Sequence, residues 1–464
     1  MNYDNHNISR KIALLCNNIN VDSIDSETVD RCKYFLLDFL GCAIRGTIRQ
    51  STQPVLKIAE QKLTLDDQVP IFGSSLKSEV SYAALAIGTA AHSLELDDVV
   101  NSASLHPAVS VMPAALTVGY TCQSSGKELL SAIVAGYELT VKLGIALNPA
   151  AHYRQGFHPT GTCGTFGAAV AAGKMLKLNQ NELLNSIGIA GSQAAGSMEF
   201  LTDGAFTKRF HAGWSAHSGI VAASLAKEGF TGPCSILEGK FGFLHGYSQE
   251  SNPAHVLQNW GNPWEVTNTS IKPHACCRYK QGPIDCILKI IEENNLQPDQ
   301  IDIAETAILD AGFALVAEPE RQKRNPQSVV DAQFSMPFGA ALAILRKNAF
   351  LDRYSLDEIN NPAIKDMMKR VSCVRDESIN KDFPKKWPAR VEIRTRDGKV
   401  FNEYLEHPKG DPENPLSWDE LIKKFKALAS KTFSDSKCDE IVGLVRQVDQ
   451  LDNIAELIDK LQLD

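Results

Sequence analysis

The sequence contains no uninterrupted apolar stretch of the roughly 18–20 residues that a membrane-spanning helix requires. Residues 1–10 are polar and lack the apolar segment of a secretory signal peptide. The eleven cysteines are odd in number and have no regular spacing, which argues against a disulfide framework. These absences predict a reduced, cytoplasmic protein without a membrane partner.

Motifs that mark common cofactor and metal sites are also absent. There is no Walker A sequence, no GxGxxG after a strand, no CxxC pair, no HExxH and no EF-hand loop. Cys276 and Cys277 are adjacent in sequence, which is poor geometry for binding one metal ion together. Gly161, Gly164 and Gly167 are spaced by three, a pattern more typical of helix packing than of phosphate binding. We therefore expect neither a metal nor an organic cofactor.

The charge balance is mildly acidic, with 47 Lys and Arg against 55 Asp and Glu and a formal net charge of −8. An acidic protein is not expected to bind nucleic acid or an anionic membrane as its main partner. A small anionic substrate remains possible, because a local basic site can lie within an acidic protein.

The chain has 464 residues, of which 44% are hydrophobic, so it is globular and long enough for two domains. Apolar residues at helical spacing predict a helical region over about residues 1–265, and its many small residues imply closely packed helices. The predicted helices cover residues 26–46, 81–94, 113–121, 128–147, 164–176 and 180–195.

The pattern changes near residue 263, where runs of alternating polarity begin. Strands and helices then mix over about 140 residues before helical spacing returns at the end of the chain. The order is therefore a helical region, an α+β region and a second helical region. The predicted elements are strands over 264–271 and 300–308, a hairpin over 388–404 with its turn at Asp397-Gly398, and helices over 282–293, 330–346, 362–371, 418–429 and 435–461.

Residues 92–107 (HSLELDDVVNSASLHP) form the first of four clusters with chemical potential. An apolar helix runs into Glu95, Asp97 and Asp98, and a polar loop then leads to His106. One interpretation is a helix end with solvated carboxylates. The other is a loop that places a carboxylate beside His106 and thereby fixes its tautomer or pKa.

Residues 151–162 (AHYRQGFHPTGT) form the second cluster, a loop interrupted by Gly and Pro. It could be an ordinary surface loop. It could also be a binding loop, in which Tyr153 and His158 exchange protons and Arg154 holds a carboxylate through its planar guanidinium.

The third cluster, residues 197–219, has Lys208 and Arg209 at the start of a helix of small residues. These two cations either belong to an exposed basic turn or bind an anionic substrate, in which case Lys208 could also act as a base. The fourth cluster, KPHACCR at residues 272–278, contains His274 and Arg278. It is either a linker between domains or part of a site at their junction.

Together the clusters suit proton abstraction next to a carboxylate, with cations stabilising the enolate-like charge that develops. At the same stretches the sequence resembles the MmgE/PrpD family, whose members include 2-methylcitrate dehydratase, cis-aconitate decarboxylase and iminodisuccinate epimerase. The matching segments, in the family's order from about residue 72 to 408, are HSLELDD, LHPAVSVMPAAL, GFHPTGTCGTFGAA, IGIAGSQAAGSMEFL, FTKRFHAGWSAHSGI, FTGPCSILEGKFGF and IKPHACCRYKQGPID.

The resemblance implies a mainly α protein with two domains. Residues 1–265 and 410–464 would form a large all-helical domain from both chain ends, and residues 266–409 would form an inserted α+β lid domain. The family further implies a homodimer, a small anionic carboxylate substrate, and a site between the domains that uses no metal or cofactor.

The resemblance also assigns roles to individual residues. His106 matches the histidine that follows the family's paired aspartates, His158 the GFH histidine, and Lys208 the lysine of the TKR turn. His274 lies in the KPxxCC segment, and Tyr153 resembles the tyrosine that is paired with the lysine in the epimerase branch. These five are the predicted catalytic residues, and the predicted substrate-binding residues are Asp97, Arg154, Arg209 and Arg278.

Three functions compete. The first is a lyase that dehydrates or decarboxylates a small di- or tricarboxylate. The second is an isomerase or epimerase, in which Tyr153 and Lys208 remove and return an α-proton; it is favoured by Val99, which stands where dehydratases and decarboxylases of the family often have Thr. The third is a carboxylate-binding protein without catalytic activity on the same fold.

Overall fold

A computed structural model of the chain describes residues 7–62 and 68–463. It is 57% helical with few strands, so the predicted mainly α class is confirmed. The chain divides into two compact units, the first comprising Met1–Thr269 with Ser417–Asp464 and the second comprising Ser270–Leu416.

The amino-terminal part of the first unit consists of packed helices and one short β-ribbon. The helices are α1 Ile8–Asn18, α2 Ser26–Gly46, α3 Gln53–Glu60, α4 Val80–Ala91, α5 Ala108–Thr121, α6 Gly126–Ala146, α7 Pro149–Arg154, α8 Pro159–Met175, α9 Gln180–Gly191, α10 Thr207–Lys227 and α11 Phe243–Tyr247, and the ribbon pairs β1 Val69–Pro70 with β2 Lys77–Ser78.

Local sequence signals explain where the long helices begin. Asp25 caps α2 by accepting a hydrogen bond from the Thr28 amide at 2.8 Å, and Ser125 and Glu128 form a capping box at the start of α6. Helix α8 begins at Pro159, whose fixed φ suits the first helical turn and whose predecessor is His158. His106 also precedes a proline, Pro107, which is the N-cap of α5.

The predicted packing role of the glycine spacing in α8 is confirmed. A Cβ atom at Gly164 would lie 2.4 Å from the Ser110 hydroxyl of α5, and one at Gly167 would lie 1.8 Å from the Thr140 hydroxyl of α6. Both separations are far below van der Waals contact, so only glycine allows these helices to approach so closely.

Helix α6 is the one helix of the described residues that is long and apolar enough to cross a membrane by length and composition. Of its most apolar window, 94% is buried inside the first unit. This is the position of a core helix, and many core helices meet the same criterion.

The second unit places helices around a four-stranded sheet of order β4-β3-β5-β6. Strand β3 pairs parallel with β4 and antiparallel with β5, and β5 pairs antiparallel with β6. The elements are α12 Gln281–Glu293, β3 Ile301–Ala307, α13 Asp310–Val316, α14 Glu320–Lys323, α15 Val329–Gln333, α16 Met336–Arg346, α17 Leu356–Asn360, α18 Pro362–Lys369, β4 Val371–Val374, α19 Glu377–Asn380, β5 Ala389–Thr395 and β6 Val400–Leu405.

The predicted hairpin over residues 388–404 is confirmed as β5 and β6, with Gly398 at a φ of 85° in its turn. The predicted helix over 330–346 is interrupted. Pro337 cannot donate a backbone hydrogen bond and its ring excludes a preceding helical turn, so α16 starts afresh with Ser335 as its cap, accepting from the Phe338 amide. The prediction for 362–371 runs too far, because Val371 already belongs to β4.

The chain returns to the first unit with α20 Trp418–Ala429, α21 Asp435–Arg446 and α22 Ala455–Ile458. The prediction of one helix over residues 435–461 is therefore wrong. The start of α6 packs on the interruption, where the Gly126 amide donates to the Leu451 carbonyl at 2.9 Å and a Cβ at Gly126 would meet the Val448 carbonyl. In a continuous helix these carbonyls would accept hydrogen bonds within the helix. Here the Leu451 carbonyl accepts from α6 instead, so the helix is interrupted at this point.

The predicted strand over residues 264–271 is also wrong, since residues 265–268 form turns. The amides of Gly261 and Glu265 donate to the carboxylate of Glu138, each at 2.9 Å. The Thr267 amide donates back to the Trp264 carbonyl at 2.9 Å. Local and side-chain acceptors thus satisfy this backbone in place of a partner strand.

Candidate active site

Four histidines from separate elements of the first unit form a connected cluster. His92 follows α4, His106 precedes α5, His158 precedes α8 and His211 lies in the second turn of α10. The ring centroid of His92 lies 5.1 Å from that of His106 and 5.8 Å from that of His158. The His158 and His211 centroids are 5.4 Å apart. The three inner rings are buried and His106 is partly open to solvent.

Asp97 joins two of these histidines. Its Oδ2 atom lies 2.7 Å from Nδ1 of His92 and 3.2 Å from Nδ1 of His106. The Nδ1 atom of His106 also contacts the backbone carbonyl oxygen of Asp98. Because a carbonyl oxygen only accepts, this Nδ1 carries a proton, and the lone pair of the neutral ring lies on Nε2. His106 therefore offers a base whose side chain is 13% exposed.

The acidic residues of this loop are buried, so the interpretation as a helix end with solvated carboxylates is wrong. Glu95, Asp97 and Asp98 are 5%, 2% and 1% exposed. Asp98 accepts a hydrogen bond from the Tyr137 hydroxyl at 2.9 Å. Burial, followed by the charge of Asp97, raises the pKa of Asp98 well above its usual value. Asp98 thus supports the loop through its buried hydrogen bonds, and Asp97 is the member of the pair that faces the imidazoles.

His158 and His211 form a second pair, with their Nδ1 atoms 3.2 Å apart. Burial, together with the charges of His92 and Lys208, lowers the pKa of both, for His211 to about 4. Both rings are therefore neutral near pH 7. The aromatic ring of Phe200 covers both, with centroid distances of 6.1 and 6.0 Å.

Lys208 lies three residues before His211 on α10 and forms an ion pair with Glu95. Glu95 adopts a φ of 58°, an unusual conformation for a non-glycine residue, and strain of this kind concentrates at functional sites. Arg209 follows Lys208, and burial lowers its pKa against the opposing effect of the Glu95 charge. Two cations beside one carboxylate favour the binding of a further anionic group.

Tyr153 and Arg154 are neighbours on α7 with different surroundings. The Tyr153 hydroxyl donates to the Ser104 carbonyl at 3.0 Å, in the same loop that carries His106. Arg154 is exposed and forms an ion pair with Glu250, with side-chain exposures of 61% and 53%. The structure therefore connects Tyr153 to the loop of the site and places Arg154 in a surface ion pair.

His274 and Arg278 lie in the second unit, where each is paired with a carboxylate. The Nε2 atom of His274 lies 2.8 Å from Oδ1 of Asp285. Arg278 forms a buried ion pair with Asp411, and its guanidinium lies 5.0 Å from the ring centroid of Trp387. Both side chains are thus oriented by contacts within the second unit.

Among the described residues of the first unit, His92, Asp97 and His106 form the group whose atoms could hold a metal ion, since one ligand atom of each lies within 4.8 Å of the others. Their N···O separations of 2.7 and 3.2 Å suit N–H···O hydrogen bonds. A metal bound through both Nδ1 atoms would need them unprotonated, whereas the Asp98 carbonyl keeps a proton on Nδ1 of His106. The arrangement therefore fits hydrogen bonding better than metal ligation.

Sequence reasoning did not assign roles to His92, His211 or Glu95. His211 follows Lys208 by three residues, a spacing that puts both on one face of a helix and was an available signal. His92 and Glu95 gave no such signal, because their partners are set by how the loop after α4 folds back.

The chain belongs to the MmgE/PrpD family. Residues 10–255 match the MmgE/PrpD N-terminal domain and residues 274–450 match the C-terminal domain, which confirms the resemblance found in the sequence. It is 25% identical to cis-aconitate decarboxylase of Aspergillus terreus over 478 residues, covering 98% of this chain and 96% of that protein. Cis-aconitate decarboxylase of Homo sapiens is also 25% identical, across 97% of this chain and 93% of its own length.

Proposed function

We propose that this protein is a lyase that dehydrates or decarboxylates a small di- or tricarboxylate by moving protons next to a carboxylate group. Membership of the MmgE/PrpD family and relatives named cis-aconitate decarboxylase support the lyase class. The observation that carries the proposal is the orientation of His106. Its Nδ1 faces Asp97 and the Asp98 carbonyl, so its Nε2 is an oriented base in the partly open part of the cluster.

The cations beside this base supply the complementary electrostatics. Lys208 and Arg209 hold the substrate carboxylates and stabilise the negative charge that develops on the enolate-like intermediate. Burial strengthens these interactions, because the Lys208 side chain is only 17% exposed. Both residues lie on α10, which also carries His211, so one helix positions the cations and part of the histidine cluster.

Each version of the reaction balances with the groups present. In dehydration, Nε2 of His106 takes the proton from the carbon next to a carboxylate, and the C–H electron pair forms the carbon–carbon double bond. The C–O bond of the neighbouring carbon breaks, and its hydroxyl group leaves as water with a proton from a second group such as His158. In decarboxylation, the carbon–carbon bond breaks, its electron pair stays on the substrate carbon, and CO2 departs. A proton from His158 then replaces CO2 on that carbon, and water restores the proton of His158.

An isomerase or epimerase is the second candidate, and two observations favour it. Val99 is 5% exposed and offers no hydroxyl to a substrate. The Tyr153 hydroxyl is hydrogen bonded to the loop that carries His106, where it could deliver or remove an α-proton opposite Lys208. This reaction would invert a carbon centre without loss of water or CO2.

The test is NMR in D2O with 2-methylcitrate, citrate, cis-aconitate and iminodisuccinate. Deuterium incorporation next to a carboxylate together with alkene formation or CO2 release is the expected result and selects the lyase. Deuterium exchange with inversion alone selects the epimerase. Both enzymatic candidates would be contradicted if compounds of this set bind saturably and none of the four shows isotope exchange.

Lys208→Ala should lower kcat/KM at least about 100-fold, because it removes the cation that stabilises developing charge. Lys227→Ala, on the exposed last turn of the same helix, is the matched control and should keep wild-type activity. Circular dichroism and the melting temperature of both variants would separate loss of chemistry from loss of fold. Near-normal activity of Lys208→Ala would remove Lys208 from the mechanism.

A further inference from the structure

We infer that His211 is a positioning residue whose Nδ1–H donates to Nδ1 of His158, so that His158 is protonated at Nε2 and acts as the general acid opposite the His106 base. The inference rests on the proposed function and extends it. It gives His158 the acid role, His106 the base role and His211 a positioning role.

The geometry of the pair restricts its protonation. The two Nδ1 atoms are 3.2 Å apart, which is hydrogen-bonding distance for nitrogen. A neutral imidazole has one N–H and one lone pair, so one of the two rings must be protonated at Nδ1 and the other at Nε2. The pair therefore always presents one Nε2–H donor and one bare Nε2 acceptor.

Packing keeps His211 in this position. Its side chain is 8% exposed and lies against α8, where a Cβ atom at Gly161 would be 3.2 Å from the His211 Cβ. The groups that face the pair are His92, His106 and Lys208. None of these favours a second proton on either ring, because protonated His92, protonated His106 and Lys208 are all cationic.

The position of the two rings in the cluster and the need for an acid determine our assignment of the protons. His106 already provides the bare Nε2 of the site, since the Asp98 carbonyl fixes its proton on Nδ1. Proton removal and proton delivery in one turnover need an acid as well as a base. Of the two rings, His158 is the one that stacks on His92, at 5.8 Å, and that the charge of His106 reaches. We therefore assign the acid role, and with it the Nε2–H tautomer, to His158, which leaves His211 as the Nδ1–H donor.

The direct test is long-range proton–nitrogen NMR of the full-length protein labelled with [15N]histidine, with signals assigned by comparison with His158→Gln and His211→Asn. At pH 7 we expect neutral His158 with its proton on Nε2 and neutral His211 with its proton on Nδ1. The reverse assignment, or a charged ring in either position, would overturn the inference. The spectrum does not depend on turnover. If the tautomers of His158 and His211 differ from those expected, the inference is wrong and the proposed function is unaffected. If the tautomers are as expected but no substrate is transformed, the proposed function alone is refuted.

Kinetics provide the second test. His211→Leu removes the donor and should lower kcat about 100-fold with little change in KM. His211→Asn should recover most of that loss, because its amide N–H can take the place of Nδ1–H. His217→Leu is the control on the same helix, since that ring stacks on Trp214 at 5.0 Å, away from the cluster, and should leave kcat unchanged. Equal activity of the Leu and Asn variants would refute a positioning role.

Discussion

Neighbouring aspartates in the loop after α4 have opposite tasks because their surroundings differ. Asp97 faces two imidazole Nδ1 atoms, whereas Asp98 faces the Tyr137 hydroxyl and the Ala108 amide. Burial raises the pKa of Asp98 well above its usual value, and the adjacent charge of Asp97 adds to this effect. One residue therefore orients the site and the next one supports the loop.

This contrast predicts different results for two conservative substitutions. Asp97→Asn can present an amide N–H to His106, which favours the wrong tautomer, and should lower kcat about 100-fold or more. Asp98→Asn keeps the size of the side chain and an oxygen that can accept from the Tyr137 hydroxyl, and should stay within about 10-fold of wild type. Steady-state kinetics at pH 7 would check both. Equal losses would show that the two aspartates do not have separate roles.

The residues of the site were only partly accessible from sequence. His106, His158 and Lys208 stand out, because polar and titratable side chains interrupt apolar helices there. The ion pair of Lys208 with Glu95 and the pairing of His158 with His211 join residues far apart in the chain. No periodicity reports such contacts, since they depend on how α4, α8 and α10 pack.

At the scale of elements, close helix packing rests on glycine. Gly167→Ala should destabilise the protein by about 1–3 kcal/mol, because the added Cβ would meet the Thr140 hydroxyl of α6 at 1.8 Å. Gly443→Ala is the matched control in α21, where nothing lies within 4 Å of an added Cβ, and it should stabilise by up to about 1 kcal/mol. Urea denaturation would measure both changes. An unchanged stability of Gly167→Ala would show that the helices can move apart at no cost.

Lys280 gives the second unit a pH-dependent stability. Its Nζ is fully buried and contacts the carbonyls of Ala332 and Gln333 at 3.0 and 3.2 Å. Burial lowers its pKa to about 8, below its unfolded value, so the unfolded chain binds more protons at alkaline pH. The contribution of Lys280 to stability therefore rises with pH through this range.

Lys280→Met should remove this dependence. Relative to the variant, wild type should gain about 2 kcal/mol in free energy of unfolding between pH 7.5 and pH 9.5. Urea denaturation at the two pH values measures the difference, which cancels the titration of cysteines and tyrosines common to both proteins. Lys365→Met on the exposed surface of α18 is the control and should show no such gain. If wild type gains the same amount relative to Lys280→Met as relative to Lys365→Met, Lys280 is not the source of the pH dependence.

At the scale of the whole molecule, the two ends of the chain build one unit. Lys424 of α20 forms a 2.6 Å ion pair with Asp38 of α2 and donates to the Leu96 carbonyl at 2.9 Å. Leu96 lies directly between Glu95 and Asp97, so the end of the chain supports the loop that forms the site.

A chain ending at Leu416 should therefore fail to fold its first unit. The truncation removes the buried side chains Leu421 and Phe425, and it removes Lys424, which pairs with the buried carboxylate of Asp38. Residues 270–416 alone should fold, because their ends meet where the Ile271 amide donates to the Gly410 carbonyl at 2.9 Å. Near-ultraviolet circular dichroism and thermal melts would compare the two products. A cooperative melt of both units in the truncated chain would contradict this account.

The sequence by itself determined the helical periodicity, the β5–β6 hairpin, the family and the residues that interrupt apolar helices, because each is a local pattern. Only the tertiary structure decided which carboxylate faces which imidazole and which nitrogen carries the proton. Tertiary contacts also determined that the helix predicted over 435–461 ends at Arg446 and that residues 265–268 form turns and no strand. The physical reason is the same in each case: buried polar groups must find partners, and those partners come from distant parts of the chain.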